Sequence, residues 1–384
     1  MYNLSERTEI VGPSRIEESL RILEQHPEII SLGAGEPDFP APKNVITAAK
    51  RYLDRGFTHY APFQGKIELR EAIAKKLKKE NGMNVNADDV IVTCGAKEAL
   101  LLAFLVSIDA GDEVIIPNPT YLAYSPIVRM LDGISVPLEL RQENNFELIV
   151  DDLNDFITNR TKMVVINNPT NPTGAVYSKK TLEEIADFAV ENKIMVLVDE
   201  AYEKFVYEGK HVSLASLNGM EDHVITAQSF SKTFAMTGFR VGYAVAPENV
   251  IREMKEFKLT TTLSAPTAFQ MAAVEALEKS KSYVAGMKSE YARRRKMLIK
   301  RLNEIPKISC ANPKGAFYAF PNISELKMSS EKTVDFLLKK AKVLTIPGNE
   351  FGNFGEGFIR LSYAAEYKKI EQALSRMESA FRKL

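Results

Sequence analysis

The segment IMVLVDEAY (194–202) runs apolar from Ile194 to Val198 and then ends on Asp199, Glu200 and Tyr202. A strand that is apolar at every position has both faces covered, as in a parallel sheet layered by helices. The form recurs. DVIVTCG (89–95), DEVIIPNPTY (112–121), TKMVVINNPTNPTG (161–174) and DHVITAQSFSK (222–232) are apolar runs that close on small or polar residues. Segments of helical length lie between them, among them KEALLLAFLVSI (97–108) and SKKTLEEIADFAVENK (178–193). In the latter, Leu182, Ile185, Ala186, Phe188 and Ala189 recur at helical spacing behind Ser178, an N-cap residue type. Strands alternating with helices predict an α/β fold with a mostly parallel central sheet. Such sheets take their ligands at the carboxyl ends of the strands.

Beyond residue 280 the pattern changes. SEYARRRKMLIKRLNEI (289–305) reads as a long charged helix, and EKTVDFLLKKAKV (331–343) as an amphipathic one. GAFYAFPNI (315–323) and GFIRLSYA (357–364) alternate like half-buried strands. The expectation is a large domain over 45–280 and a smaller α/β domain built from 281–384 with 1–44 packed against it. No repeat or low-complexity tract interrupts the chain.

The 384 residues suffice for a large core. Hydrophobic residues make up 45% and charged residues 26%, ordinary values for a globular protein. Lys+Arg and Asp+Glu are both 50, a balance that gives no sign of a nucleic-acid or anionic-membrane partner. The longest apolar run, 99–108, is about half of the ~20 residues that a membrane span needs. The N-terminus has no apolar signal-peptide core. Cys94 and Cys310 are far apart and lack metal-ligand spacing. The expectation is a cytoplasmic protein without a metal.

The strand ends carry the chemistry. Lys232 sits between Ser229 and Ser231 in SFSKTFAMTGFRVGY (229–243). A lysine becomes a nucleophile when burial and a neighbouring cation lower its pKa; alone, it is more often a solvated surface charge. Ser229, Ser231 and Arg240 form a phosphate-binding set, or else two turn serines and a surface arginine. The N–H groups of Gly95, Ala96 and Lys97 open a helix and would face an anion; a plain strand-to-helix turn reads the same way. Asp199 is a counter-ion for a protonated ring nitrogen, or a helix cap or structural ion pair. Asn171 and Tyr202 are donors for a ring hydroxyl, and Tyr121 is a stacking face. Taken together, an aldehyde-capturing lysine, an anion cradle, a ring-nitrogen carboxylate, hydroxyl donors and a flat aromatic describe pyridoxal 5′-phosphate.

SLGAGEPDFPAP (31–42), HYAPFQGKIELREAI (59–73), NNPTNPTGAVYS (167–178), VDEAYE (198–203), SFSKTFAMTGFRVGY (229–243) and GEGFIRLSYA (355–364) resemble, in order and spacing, the motifs of class I/II aminotransferases of fold type I. The subgroup most similar includes the prokaryotic aspartate aminotransferases. The resemblance covers nearly the whole chain. It implies that Lys232 carries the cofactor as a Schiff base, that Asp199 pairs with the ring nitrogen, and that Asn171 and Tyr202 bind the 3-oxygen. It places Tyr121 on the ring, and Ser229, Ser231, Arg240 and the 95–97 backbone on the phosphate. Tyr60 would reach the phosphate of the neighbouring subunit, which implies a homodimer with shared sites. Arg360 would clamp the substrate α-carboxylate, helped by Asn171 and the Gly35 backbone.

The implied reaction moves an amino group from an L-amino acid to a 2-oxo acid such as 2-oxoglutarate by a ping-pong route. Lys97 lies where the acidic-substrate subgroup carries a lysine for a distal carboxylate, which favours aspartate and glutamate. The subgroup's PSxT-like segment reads here Pro13-Ser14-Arg15-Ile16. That departure leaves open Arg15 as a replacement charge, or a pocket for alanine or aromatic side chains. A C–S β-lyase or an aminocyclopropane-type synthase would use the same cofactor set, and a ligand-sensing regulator would use the same fold.

Overall fold

The computed structural model describes residues 4–10 and 15–384. Pro13 and Ser14 of the PSxT-like segment lie outside the described residues, as does the Arg15 side chain. In chain order the strands are β1 (Ile30–Ser31), β2 (Val90–Thr93), β3 (Glu113–Asn118), β4 (Ile134–Glu139), β5 (Thr161–Asn167), β6 (Met195–Asp199), β7 (Val224–Ser229), β8 (Gly242–Val245), β9 (Tyr318–Ala319), β10 (Val343–Leu344), β11 (Ile346–Pro347) and β12 (Ile359–Ser362). The helices are α1 (Arg15–Gln25), α2 (Lys43–Asp54), α3 (Ile67–Glu80), α4 (Ala96–Ser107), α5 (Tyr124–Met130), α6 (Lys179–Asn192), α7 (Phe230–Thr233), α8 (Glu248–Thr261), α9 (Thr267–Lys279), α10 (Lys281–Leu302), α11 (Ser330–Ala341) and α12 (Tyr367–Phe381). No helix among the described residues is long and apolar enough to cross a membrane.

Strands β2 to β8 form one sheet in the order β2-β8-β7-β6-β5-β3-β4. The β3, β4, β5, β6 and β7 pairings are parallel, and β8 runs antiparallel to both β7 and β2. The apolar runs are explained by layers on both faces. Val164, Ile166, Val196 and Val198 pack with Leu182, Ile185 and Ala186 of α6. Their strand neighbours Met163, Val165 and Leu197 pack on the other face with Leu100, Leu102, Ala103 and Phe104 of α4. Each such buried aliphatic side chain contributes about 1.5–3 kcal/mol. Ser178 caps α6 as expected, accepting the Thr181 N–H at 3.1 Å.

A second, three-stranded sheet has the order β11-β12-β9, and β1 pairs in parallel with β10. The alternating, half-buried reading of GAFYAFPNI and GFIRLSYA is corrected here. Strands β9 and β12 are buried at every position. The cause is cover on both sides: Tyr318, Ala319, Ile359 and Leu361 face the core with α10 and α12, while the adjoining Phe320 and Ile346 join the core of the large sheet. Helix α10 also begins eight residues before the expected start, at Lys281. Of the N-terminal segment, Ile30–Ser31 joins Val343–Leu344, whereas Arg7 donates to Met130 O at 3.1 Å and to Asp132 beside the large sheet.

Register collects the polar strand ends. Asn167 stands opposite Asp199, and Ser229 opposite Gly242. A Cβ on Gly242 would lie 2.5 Å from the Gly95 carbonyl carbon, so glycine there lets β8 meet the start of α4.

Candidate active site

The carboxyl ends of β5, β6 and β7, the start of α4 and the loop after β1 enclose a cavity of ≈ 420 Å³. Gly35, Ala96, Lys97, Tyr121, Asn171, Asp199, Tyr202, Ser229, Ser231, Lys232, Arg240 and Arg360 line it, all of them named from the sequence. Gly95 stands directly behind the lining, under Arg240. Tyr60 does not line the cavity and is 78% exposed.

Lys232 rises from the short turn α7. Its Nζ donates to the Gly35 carbonyl at 2.7 Å. Burial lowers its pKa to about 8; Arg240 and Arg360 repel its charge in the same direction, while Glu36 and Asp199 oppose them. Asp199 is 5% exposed. It accepts from Tyr124 Oη at 2.9 Å and from the Ala201 N–H at 3.0 Å, and has no ion-pair partner among the described residues. Burial raises its pKa, and these two hydrogen bonds hold part of the rise back.

Arg360 is 2% exposed and also lacks a carboxylate partner among the described residues. It donates to Asn171 Oδ1 at 3.1 Å and Gly33 O at 2.7 Å, and lies 4.6 Å from the Tyr318 ring centroid. Its Nε is buried without a hydrogen-bond partner among the described residues. Because the Asn171 Oδ1 accepts from Arg360, the Nδ2 remains as a donor. Tyr202 Oη meets Tyr318 Oη at 2.8 Å. Lys97 is exposed, with its Nζ 6.0 Å from the Tyr121 ring centroid.

The anion cradle differs in one detail from the expectation. The Gly95 N–H is not free: it bonds to Thr93 O at 2.9 Å. Of the three expected donors, the Ala96 and Lys97 N–H groups at the start of α4 have no hydrogen bond among the described residues. Gly95 instead adopts φ +81, and a Cβ there would lie 2.5 Å from Arg240 Nη2. Glycine is needed for the backbone turn and for the close approach of the guanidinium. Arg240 anchors on Thr237 O at 2.9 Å and Cys94 O at 3.1 Å. Ser229 Oγ accepts the Ser231 N–H at 3.1 Å, so it caps α7 while lining the cavity.

Sequence reading missed Tyr124, Tyr318, Asn167 and the Glu98–Lys258 pair. Asn167 holds both Asp199 O, at 3.0 Å, and the Asn171 N–H, at 2.7 Å. Lys258, fully buried, donates to Glu98 at 2.9 and 3.0 Å; Glu98 in turn accepts the Cys94 N–H beside the cradle. The only signal for Tyr124 is its place three residues after Tyr121. The others are joined across long stretches of chain. Behind the sheet, Glu200, Glu203 and His211 gather within 4.8 Å, but donors from Ser213, Gln228, Lys76 and Asn81 already occupy the carboxylates.

Residues 27–377 match the family described as aminotransferase class I and II. The chain is 45% identical to aromatic-amino-acid aminotransferase 2 of Thermococcus litoralis, over 99% of this chain and 98% of that protein. It is also 45% identical to the aspartate aminotransferase of Pyrococcus abyssi, with the same coverage of each. The structure of Thermus thermophilus aspartate aminotransferase with maleate superposes with a TM-score of 0.95 at 38% identity, covering 99% of this chain and 100% of that one. The chain therefore belongs to the class I and II aminotransferases, a family of pyridoxal-phosphate-dependent enzymes.

Proposed function

We propose that this aminotransferase takes the amino group of aspartate or glutamate and passes it to a 2-oxo acid such as 2-oxoglutarate by a ping-pong route. One observation carries the reading. Asp199 and Arg360, buried groups of opposite charge type, face one cavity without an ion-pair partner among the described residues, beside a lysine whose pKa burial lowers to about 8. A buried charge without a partner is costly unless a ligand supplies one. A protonated ring nitrogen matches Asp199 and a substrate carboxylate matches Arg360, so the cofactor fits the residues present.

Asn171 and Tyr202 would hold its 3-oxygen, and Tyr121 its ring face. Ser229, Ser231, Arg240 and the Ala96 and Lys97 N–H groups would hold its phosphate. When bound, pyridoxal 5′-phosphate supplies the aldehyde that receives the amino group and the ring that accepts electrons as the α-proton leaves. Asp199 keeps the proton on the ring nitrogen. Arg360 fixes the α-carboxylate by a two-point fork, with the Gly35 N–H beside it. Lys232, once free, takes the proton from the substrate Cα as general base and returns it as general acid.

Lys97 at the cavity wall supports an acidic side chain, as do the relatives named aspartate aminotransferase. Leu100 and Leu122 line the same wall, and the Thermococcus relative is named for aromatic amino acids, so aromatic donors are the second reading. Tyr60, turned outward, would reach the phosphate held by the partner chain, and we take the working unit to be a cytoplasmic homodimer. We also take 45–280 as the cofactor-binding domain and 1–44 with 281–384 as the smaller one, residues 4–10 reaching across to the first.

The test is a half-reaction. Holoprotein mixed with one amino acid and no 2-oxo acid should release one equivalent of oxo acid per subunit and stop. The extent of reaction across a panel ranks the donors. Sustained release would instead mean a lyase.

A further inference from the structure

Turn α7 has a reverse face. Opposite Lys232, the side chains of Phe230, Thr233 and Phe234 line a second cavity of ≈ 280 Å³, which shares only Ser229 with the first. Phe230, Phe234, Leu277 and Val284 give it apolar walls. Two hydroxyls are set among them. Tyr243 is 3% exposed and Thr233 4%, yet neither hydroxyl makes a hydrogen bond among the described residues, and neither is sealed from the cavity. Both hydroxyls are thus open to the cavity and stand as donors for a ligand atom that accepts from them.

The rim sets the charge of that ligand. Lys76, Lys204, Lys281 and Lys288 stand there against Glu80 and Glu203. Lys76 pairs with Glu203, while Lys204 at 2.9 Å and Lys281 at 2.5 Å pair with Glu80. Lys288 has no ion pair among the described residues. Four cations over two anions leave an excess of positive charge at the mouth of an apolar pocket. An acceptor head and an apolar body satisfy both features; inorganic phosphate would leave the walls bare, and an amine would meet repulsion. The volume lies near the low end of small-molecule sites and suits one ring with a short chain.

We propose that this cavity is a second small-molecule site, for an organic monocarboxylate with a single-ring or branched apolar body. Calorimetric titration of the holoprotein with 3-phenylpropionate tests it. In the wild-type chain the acid should fill two sites per subunit, one at Arg360 and one here. Arg360→Leu should leave one site. Val284→Trp, which fills the second cavity, should remove the other or weaken it by about tenfold or more. The pair Tyr243→Phe and Thr233→Val removes the hydroxyls without filling the space, and should weaken binding by about threefold or more. 3-Phenylpropylamine should bind about tenfold more weakly than the acid, or not at all. The proposal is overturned by any of three results: loss of all binding in a folded Arg360→Leu protein, a single site in the wild type that Val284→Trp does not affect, or equal binding of amine and acid.

Discussion

Lys232 Nζ donates to the carbonyl of Gly35 at 2.7 Å, joining the turn after β7 to the loop after β1 across 197 positions of sequence. The bond holds the amine in the field of four charges. Burial brings its pKa to about 8, with Arg240 and Arg360 acting downward and Glu36 and Asp199 upward. Removing an upward influence frees the amine at lower pH, and removing a downward one does the reverse. In cofactor-free protein at pH 7, aldehyde capture should therefore be about twofold or more faster in Glu36→Gln and slower by a similar factor in Arg360→Leu. Stopped-flow absorbance on adding pyridoxal 5′-phosphate reads both rates, and opposite signs would remove the electrostatic account. The stability consequence has a definite sign. The folded lysine titrates below its unfolded value near 10.4, so the unfolded chain binds more protons between about 8 and 10.4. This group therefore makes the cofactor-free fold gain stability as pH rises through that window.

Asp199 and Tyr124 make a graded pair. Asn at 199 keeps the shape and loses the charge that would hold a proton on the ring nitrogen. Turnover of the best donor should fall by about 10²–10³-fold. Phe at 124 removes one of the two hydrogen bonds that oppose the rise in the Asp199 pKa. The Asp199 pKa then moves further up, the carboxyl is less fully ionised and so pairs less well with a protonated ring nitrogen, and turnover should drop by about three- to tenfold. Steady-state kcat/KM for both variants checks the order. A Tyr124→Phe loss as large as that of Asp199→Asn would mean that the hydroxyl has a role of its own.

Lys97→Ala decides between the acidic and aromatic readings. Its ammonium sits at the cavity wall near Tyr121, with Leu100 and Leu122 as apolar neighbours. With a distal carboxylate anchored there, kcat/KM for aspartate should fall by about tenfold or more, the worth of one charge-assisted hydrogen bond. Phenylalanine should change by less than about threefold. An equal effect on both donors would assign Lys97 to the fold or the cofactor rather than to the side chain of the substrate.

The legible part of this molecule was the part written locally. Apolar runs gave the buried strands because each residue of β6 has cover on its own face. The polar groups at their ends gave Asp199, Ser229 and Lys232, because a parallel sheet presents those ends together. Burial of β9 and β12 was not legible: their alternation fits a half-exposed strand, and only the layer from the large sheet closes the other face. Nor was the bonded state of the Gly95 N–H, which depends on the carbonyl two residues earlier turning inward. Tyr318 could not be linked to Tyr202, nor Lys258 to Glu98, since no sequence spacing reports a contact across more than a hundred residues.

That last pair supports the start of α4. Glu98 lies in its first turn and accepts from the Cys94 N–H, next to the Ala96 and Lys97 N–H groups proposed for the phosphate. Its charge suits the helix dipole but lies close to an anion site, and Lys258 neutralises it from helix α8 with two hydrogen bonds. Lys258→Met leaves a buried carboxylate facing the cradle. It should destabilise the protein by about 3–5 kcal/mol and weaken cofactor binding. Adding Glu98→Gln removes the stranded charge, so the double variant should recover more than half of that loss. Denaturant unfolding of the cofactor-free proteins measures the first effect, and equilibrium titration with pyridoxal 5′-phosphate the second. Purely additive losses in the double variant would mean that the two residues act independently and that the cradle does not depend on their pairing.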